Sequence, residues 1–123
     1  MAEEAYLDGK WAYERKRTNL AVRSLQDALE LYPGHLPARA MLVKIFEKGG
    51  KNGEAMYLLA EGLEIAPDYM VFKKSYARLL SAQGDYDAAT KVMLNGGLPD
   101  VEEDPEAHVI LSSLYQRLDE SFL

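Results

Sequence analysis

The chain contains no cysteine, which removes disulfides, thiolate zinc sites and cysteine nucleophiles while leaving the redox compartment open. Histidine occurs only twice, as His35 and His108. Neither sits in a carboxylate pattern of the HExxH kind, so both read as structural or solvated side chains. Ser112 and Ser113 lack the flanking glycines of a nucleophile elbow. No glycine-rich loop has the form that cradles phosphate, since Gly49-Gly50 and Gly96-Gly97 read as turns. The acids Glu102, Glu103, Asp104 and Glu106 lack the ligand order and glycine of a calcium loop, so a solvated loop is the better reading. The expectation is therefore no enzyme, no catalytic residues, no metal and no cofactor.

Long apolar runs are missing too. None approaches the ~20 residues of a spanning helix, so direct membrane insertion of this segment is not expected. The start, MAEEAYLDGK, carries two acids where a secretory leader would carry basic residues. Cations are outnumbered, with Lys and Arg at 14 against 20 Asp and Glu, a formal charge of -6 and a pI near 4.9. That balance argues against nucleic acid, whose phosphates call for clustered Lys and Arg. Alternating apolar and polar runs, the mark of strands, are also absent.

What is present is ordinary globular composition, 48% hydrophobic and 28% charged over 123 residues, which fits one domain spanning 1–123. Its order is a repeat. The run ALELYP ends at Pro33 and GLEIAP ends at Pro67, 34 residues later; Ala21, Ala55 and Ala89 keep the same interval, as do Ala28, Gly62 and Gly96, and Gly50 and Gly84. Several landmarks sharing one period indicate a helical-repeat architecture.

Apolar residues recur at three- and four-residue intervals throughout, which predicts helices. The expected helices cover about 3–17, 20–32, 38–48, 54–65, a pair separated by Gly84, and a last one to about Leu118. Thr18, Asp68 and Asp85 are candidate caps, and Asp104-Pro105-Glu106 is a strong helix start. The prediction is an all-α, right-handed α-solenoid of three helical hairpins (about 2–35, 36–69 and 70–103) and a C-terminal capping helix (about 104–118), seven helices in all.

The second-helix sets Ala21, Leu25, Ala28, Pro33 and Ala55, Leu59, Gly62, Pro67, with the partial set Ala89, Met93, Gly96, resemble tetratricopeptide repeats. Gly9, Leu42, Phe46, Leu111 and Tyr115 fit first-helix places of that family, while its tryptophan is absent from every unit. The segments HLPARAMLVKIFEKGGKNGEAMYLLAEGLEIAPDY, YARLLSAQGDYDAA and DPEAHVILSSLYQRL are also similar to the C-terminal repeat region of MSHA-type pilus biogenesis proteins. That resemblance implies a periplasmic domain in a pilus or secretion assembly; without it the compartment is unknown, with the cytoplasm as the default.

The family resemblance implies a protein or peptide partner held on a concave groove lined by first helices. Lys10, Lys44 and Arg78 share one repeat position there. Lys48 and Lys74 lie one turn away on the same faces, Tyr6 and Tyr13 flank Lys10, and Gln116 and Arg117 extend the row. Such a groove suits an extended acidic segment; the alternative is a solvated face with no partner. The family's two-carboxylate clamp uses groove asparagines, and Asn19, Asn52 and Asn95 all lie off the first helices, so chaperone-tail binding is not expected. The last helix carries Val109, Ile110, Leu114 and Leu118 as a candidate end interface, which would make a homodimer or dock further repeats. The alternative there is a half-repeat that simply covers the third hairpin.

Overall fold

Periodicity of this kind closes into helices wherever glycine, proline or a cap does not interrupt it. The computed structural model describes residues 1–121. Its described residues form seven α-helices and no strand: α1 (Ala2–Glu14), α2 (Thr18–Leu31), α3 (Leu36–Lys48), α4 (Asn52–Ile65), α5 (Met70–Ala82), α6 (Tyr86–Leu94) and α7 (Pro105–Ser121). Contacts divide the chain into two compact units, Met1–Ile65 and Ala66–Leu123.

In the first unit α1 pairs with α2 and α3 with α4, and α3 packs against α2 and α1. The core is the small-large-small stripe foreseen from the repeat. Ala21, Leu25 and Ala28 are fully buried with Ala12, Ala38, Leu42 and Ile45 around them. Alanine at two of the three stripe positions lets backbones approach, and Leu25 fills the space between. Gly9 belongs to the same contact: a Cβ there would lie 2.7 Å from Leu25 Cγ and 3.3 Å from the Ala21 carbonyl oxygen. The second unit repeats the plan in α5 and α6, with α7 stacked on both. Phe72, Ala77, Leu80, Ala89, Met93, Ala107, Leu111 and Leu114 are its buried apolar residues.

The three hairpin turns share one hydrogen-bond pattern. The Arg17, Lys51 and Asp85 amides donate to the carbonyls of Ala12, Phe46 and Leu80, five residues back in each case. This is the Schellman arrangement, which needs a left-handed residue just past the helix end. Gly50 and Gly84 supply it at φ 75° and 84°, but the equivalent residue in the first hairpin is Lys16, at φ 61°. Sequence inspection finds the two glycines and misses the lysine that takes their place.

Several helix boundaries differ from expectation for local reasons. Asn52 and Gly53 lie inside the first turn of α4 rather than in the break. Thr18 is the first residue of α2, behind an Arg17 cap without a side-chain bond, and α5 begins behind Tyr69, so neither Thr18 nor Asp68 caps. His35 does cap: its Nδ1 accepts from the Ala38 amide at 3.1 Å. That bond leaves Nε2 as the protonated nitrogen, 2.9 Å from Glu3 Oε2, with the ring 4.9 Å from that of Tyr6. Asp85 and Asp104 cap as expected, accepting from Ala88 and Ala107.

Two buried cations hold the hairpins from inside. Arg39, fully buried, donates to the Pro33 and Leu58 carbonyls and pairs with Glu61 at 2.9 Å. Lys73, 34 positions on and nearly as buried, donates to the Asn95 carbonyl. Glu61 and Asn95 are themselves 34 apart, but the first contact is to a side-chain carboxylate and the second to a backbone carbonyl at the end of α6.

The turn pattern yields a stability prediction. A non-glycine residue in the left-handed region costs about 1–2 kcal/mol, and glycine's unfolded-state entropy offsets up to about 1 kcal/mol of that. Lys16→Gly is expected to stabilise the protein by about 0.5–1 kcal/mol and Gly50→Ala to destabilise it by about 1 kcal/mol. Urea unfolding of both variants checks the pair of opposite signs.

Candidate functional site

The predicted row of cations separates into two situations. In the first unit, α1 and α3 bring Tyr13, Lys44 and Lys48 together. Lys48 Nζ donates to the Tyr13 phenol oxygen at 3.2 Å. The ammonium groups of Lys44 and Lys48 stand 5.8 and 5.9 Å from the Tyr13 ring centroid, within cation–π range. Lys10 lies one turn before Tyr13 on α1 and is exposed, as are Lys44 and Lys48. Among the described residues no carboxylate forms an ion pair with Lys10, Lys44 or Lys48. The hydrogen bond from Lys48 holds the Tyr13 phenol below the usual tyrosine range, against the opposing effect of burial and with help from the charges of Lys48 and Lys44. Tyr6 belongs to a different neighbourhood, packed on the His35 ring.

In the second unit the cations are already engaged. Lys74 lies 3.2 Å from Asp104 Oδ2 and 3.6 Å from Glu106 Oε2, and Arg78 pairs with Glu106. The first turn of α7 therefore covers the charge on α5. The Asp104 carboxyl is pushed up by desolvation, but the Ala107 amide bond and Lys74 outweigh that, leaving it below the ordinary carboxylate range. His108 donates to the Pro99 carbonyl and ties the preceding loop to α7. Arg117 turns toward the Tyr86 ring at 5.9 Å, and Gln116 is exposed.

Of the four residues expected at an end interface, Val109 is 69% exposed, Ile110 and Leu118 are half-buried, and Leu114, at 2%, is packed inside the second unit. Leu114 is thus mainly a core residue, although with Val109 and Ile110 it lines a hollow between α5 and α7. Tyr32 and Tyr57 are well exposed at 58% and 68%. Among the described residues, no group of three or more His, Asp or Glu is placed to hold a metal ion. No helix of the described residues is long and apolar enough to cross a membrane.

Sequence reasoning missed Arg39 and Lys73, whose shared repeat position was the available signal, and the pairing of Lys74 and Arg78 with the start of α7. For the latter the acid-rich run 100–106 was visible, but its distance from α5 was not.

A family model described as tetratricopeptide repeat matches residues 12–68 and 48–118. No curated protein matches the chain. Among solved structures, the chain is similar to one titled as the TPR2B-domain:pHsp70-complex of yeast Sti1, with 20% identity, a TM-score of 0.73, and coverage of 98% of this chain and 97% of that one. At that identity the likeness is one of fold.

Two outcomes follow from the electrostatics. Lys48→Met is expected to move the Tyr13 titration midpoint up toward that of an ordinary tyrosine, read by NMR of the labelled ring; an unmoved midpoint would refute the assigned cause. For Asp104 the folded pKa is depressed, so its stabilisation is present above the unfolded value of about 3.9 and lost as pH falls through the folded value. The stability gap between wild type and Asp104→Asn, measured by urea unfolding, is expected to be open at neutral pH and to close in acid.

Proposed function

The chain belongs to the tetratricopeptide repeat family, and from that premise we propose that it is a non-catalytic protein-interaction module that binds an extended acidic segment of a partner protein. The observation that carries this reading is the cluster of Lys44 and Lys48 at Tyr13, joined by Lys10 on the same face of α1. Exposed ammonium groups without carboxylate partners retain their charge for a ligand, and charge-assisted hydrogen bonds to carboxylates are about twice as strong as neutral ones. Tyr13 adds a rigid, half-buried ring with a hydroxyl, a good contact for a peptide backbone.

The second unit supports a weaker role for Lys74 and Arg78, because an acidic ligand there must displace Asp104 and Glu106. The proposed contact residues are therefore Lys10, Tyr13, Lys44 and Lys48. The solved relative's title names pHsp70, and a peptide partner for this chain is proposed by analogy of fold. The asparagines of the family's carboxylate clamp are missing from α1 and α3, which favours side-chain carboxylates over a chaperone tail. A pilus or secretion assembly is the setting implied by the resemblance to MSHA-type proteins. Self-association through α7 is less well supported, since Leu114 is largely buried in its own unit.

The test uses fluorescent peptides rich in Asp and Glu. Binding is expected to weaken steeply with salt, because exposed charges are screened within about 8–10 Å at physiological ionic strength. Lys44→Glu with Lys48→Glu is expected to weaken it at least about tenfold, equivalent to about 1.4 kcal/mol, with unchanged helical circular dichroism. Equal affinity of that variant and wild type would overturn the reading.

A further inference from the structure

The first unit has a second surface with the opposite character. Between α2 and α4 lie two adjoining hollows of about 390 Å³ each, sharing Gln26, Phe46 and Leu58 as walls. The floor comes from α3, through buried Leu42 and half-buried Phe46, and Leu29 of α2 and Leu58 of α4 close the sides. Tyr57 stands over one end, 68% exposed. The charged residues around the two hollows are Glu30, Glu54 and Glu61, with no lysine or arginine among the lining side chains. Glu61 is held by Arg39 from behind yet remains 42% exposed.

An apolar floor bordered on both sides by carboxylates matches a ligand that is apolar in the middle and cationic at its edges. Two neighbouring hollows between two helices suit two large side chains one helical turn apart, the helix-in-groove mode of recognition. An exposed tyrosine at the rim is the residue type that interfaces favour as an anchor. We propose that this groove binds a basic amphipathic helix of a partner protein, with two apolar anchors over Leu42, Phe46 and Leu58 and Lys or Arg toward Glu30 and Glu54. This surface is independent of the Tyr13 cluster and has the reverse charge preference, so the unit would hold two partners of opposite sign.

Gly53 gives a way to close the groove. It lines the second hollow, and a Cβ there would meet nothing within 4 Å, so a side chain can begin at this position without a clash. The test begins with selection of a random peptide display library on the full chain. Basic amphipathic helical peptides are expected to be enriched. In titrations of the best synthetic peptide, Glu30→Lys with Glu54→Lys, Gly53→Trp and Tyr57→Ala are each expected to weaken binding at least about tenfold. Lys44→Glu with Lys48→Glu is expected to leave it within about twofold, since it alters a different cluster. Circular dichroism identifies any variant that fails to fold, and exposed Tyr57→Ala carries the test if others do. No enrichment, enriched peptides without basic residues, or groove variants that bind normally would overturn the proposal. So would sedimentation showing a dimer that Gly53→Trp dissociates, because the occupant would then be a second copy.

Discussion

Close approach of paired helices is the constraint on which the rest of the structure depends. Ala21 and Ala28 around Leu25, and Ala55 and Gly62 around Leu59, are all buried at the contact. Close packing of this kind makes volume changes costly, because interiors have few voids into which a displaced group can move. Gly9 shows the limit, since even a methyl group there would collide with a fully buried leucine. Once the second helices are committed to this contact, α1 and α3 are left to present the residues that are not needed for packing. Lys10, Lys44 and Lys48 are among the exposed residues of these helices.

Charge is distributed by burial rather than by count. Arg39 and Lys73 are consumed in tying hairpins to backbone carbonyls and Glu61, and Lys74 and Arg78 in fixing the start of α7. In the first unit, Lys44 and Lys48 stand beside the Tyr13 phenol, while Arg15 and Arg17 lie over the Trp11 ring. A protein with net charge -6 can therefore present a basic cluster on one set of helices and a carboxylate-rimmed apolar groove on another. Net charge governs long-range behaviour, and local arrangement governs recognition.

The period, the helices and the buried stripe were legible because packing repeats itself every 34 residues, and a repeated need leaves a repeated letter. The Schellman turns were legible at Gly50 and Gly84 and hidden at Lys16, where a lysine tolerates the conformation at some cost in energy. Tyr13, Lys44 and Lys48 were identified as candidates, but their convergence depends on how α1 meets α3, which spacing along one helix does not specify. The burial of Leu114 was not legible, because an apolar residue on a terminal helix has the same appearance whether it covers its own hairpin or awaits a partner. The groove between α2 and α4 left no trace in sequence: its residues come from three helices and share no period.

The buried guanidinium of Arg39 has a consequence beyond holding its hairpin. Its Nε has no hydrogen-bond partner among the described residues and no access to water. Exchange of that proton with solvent thus requires a local opening around the side chain, and such openings have free energies between zero and that of global unfolding. The Nε proton therefore reports on how often the surroundings of Arg39 open. It does so from inside the first unit, between the face that carries the lysines and the face that carries the glutamates.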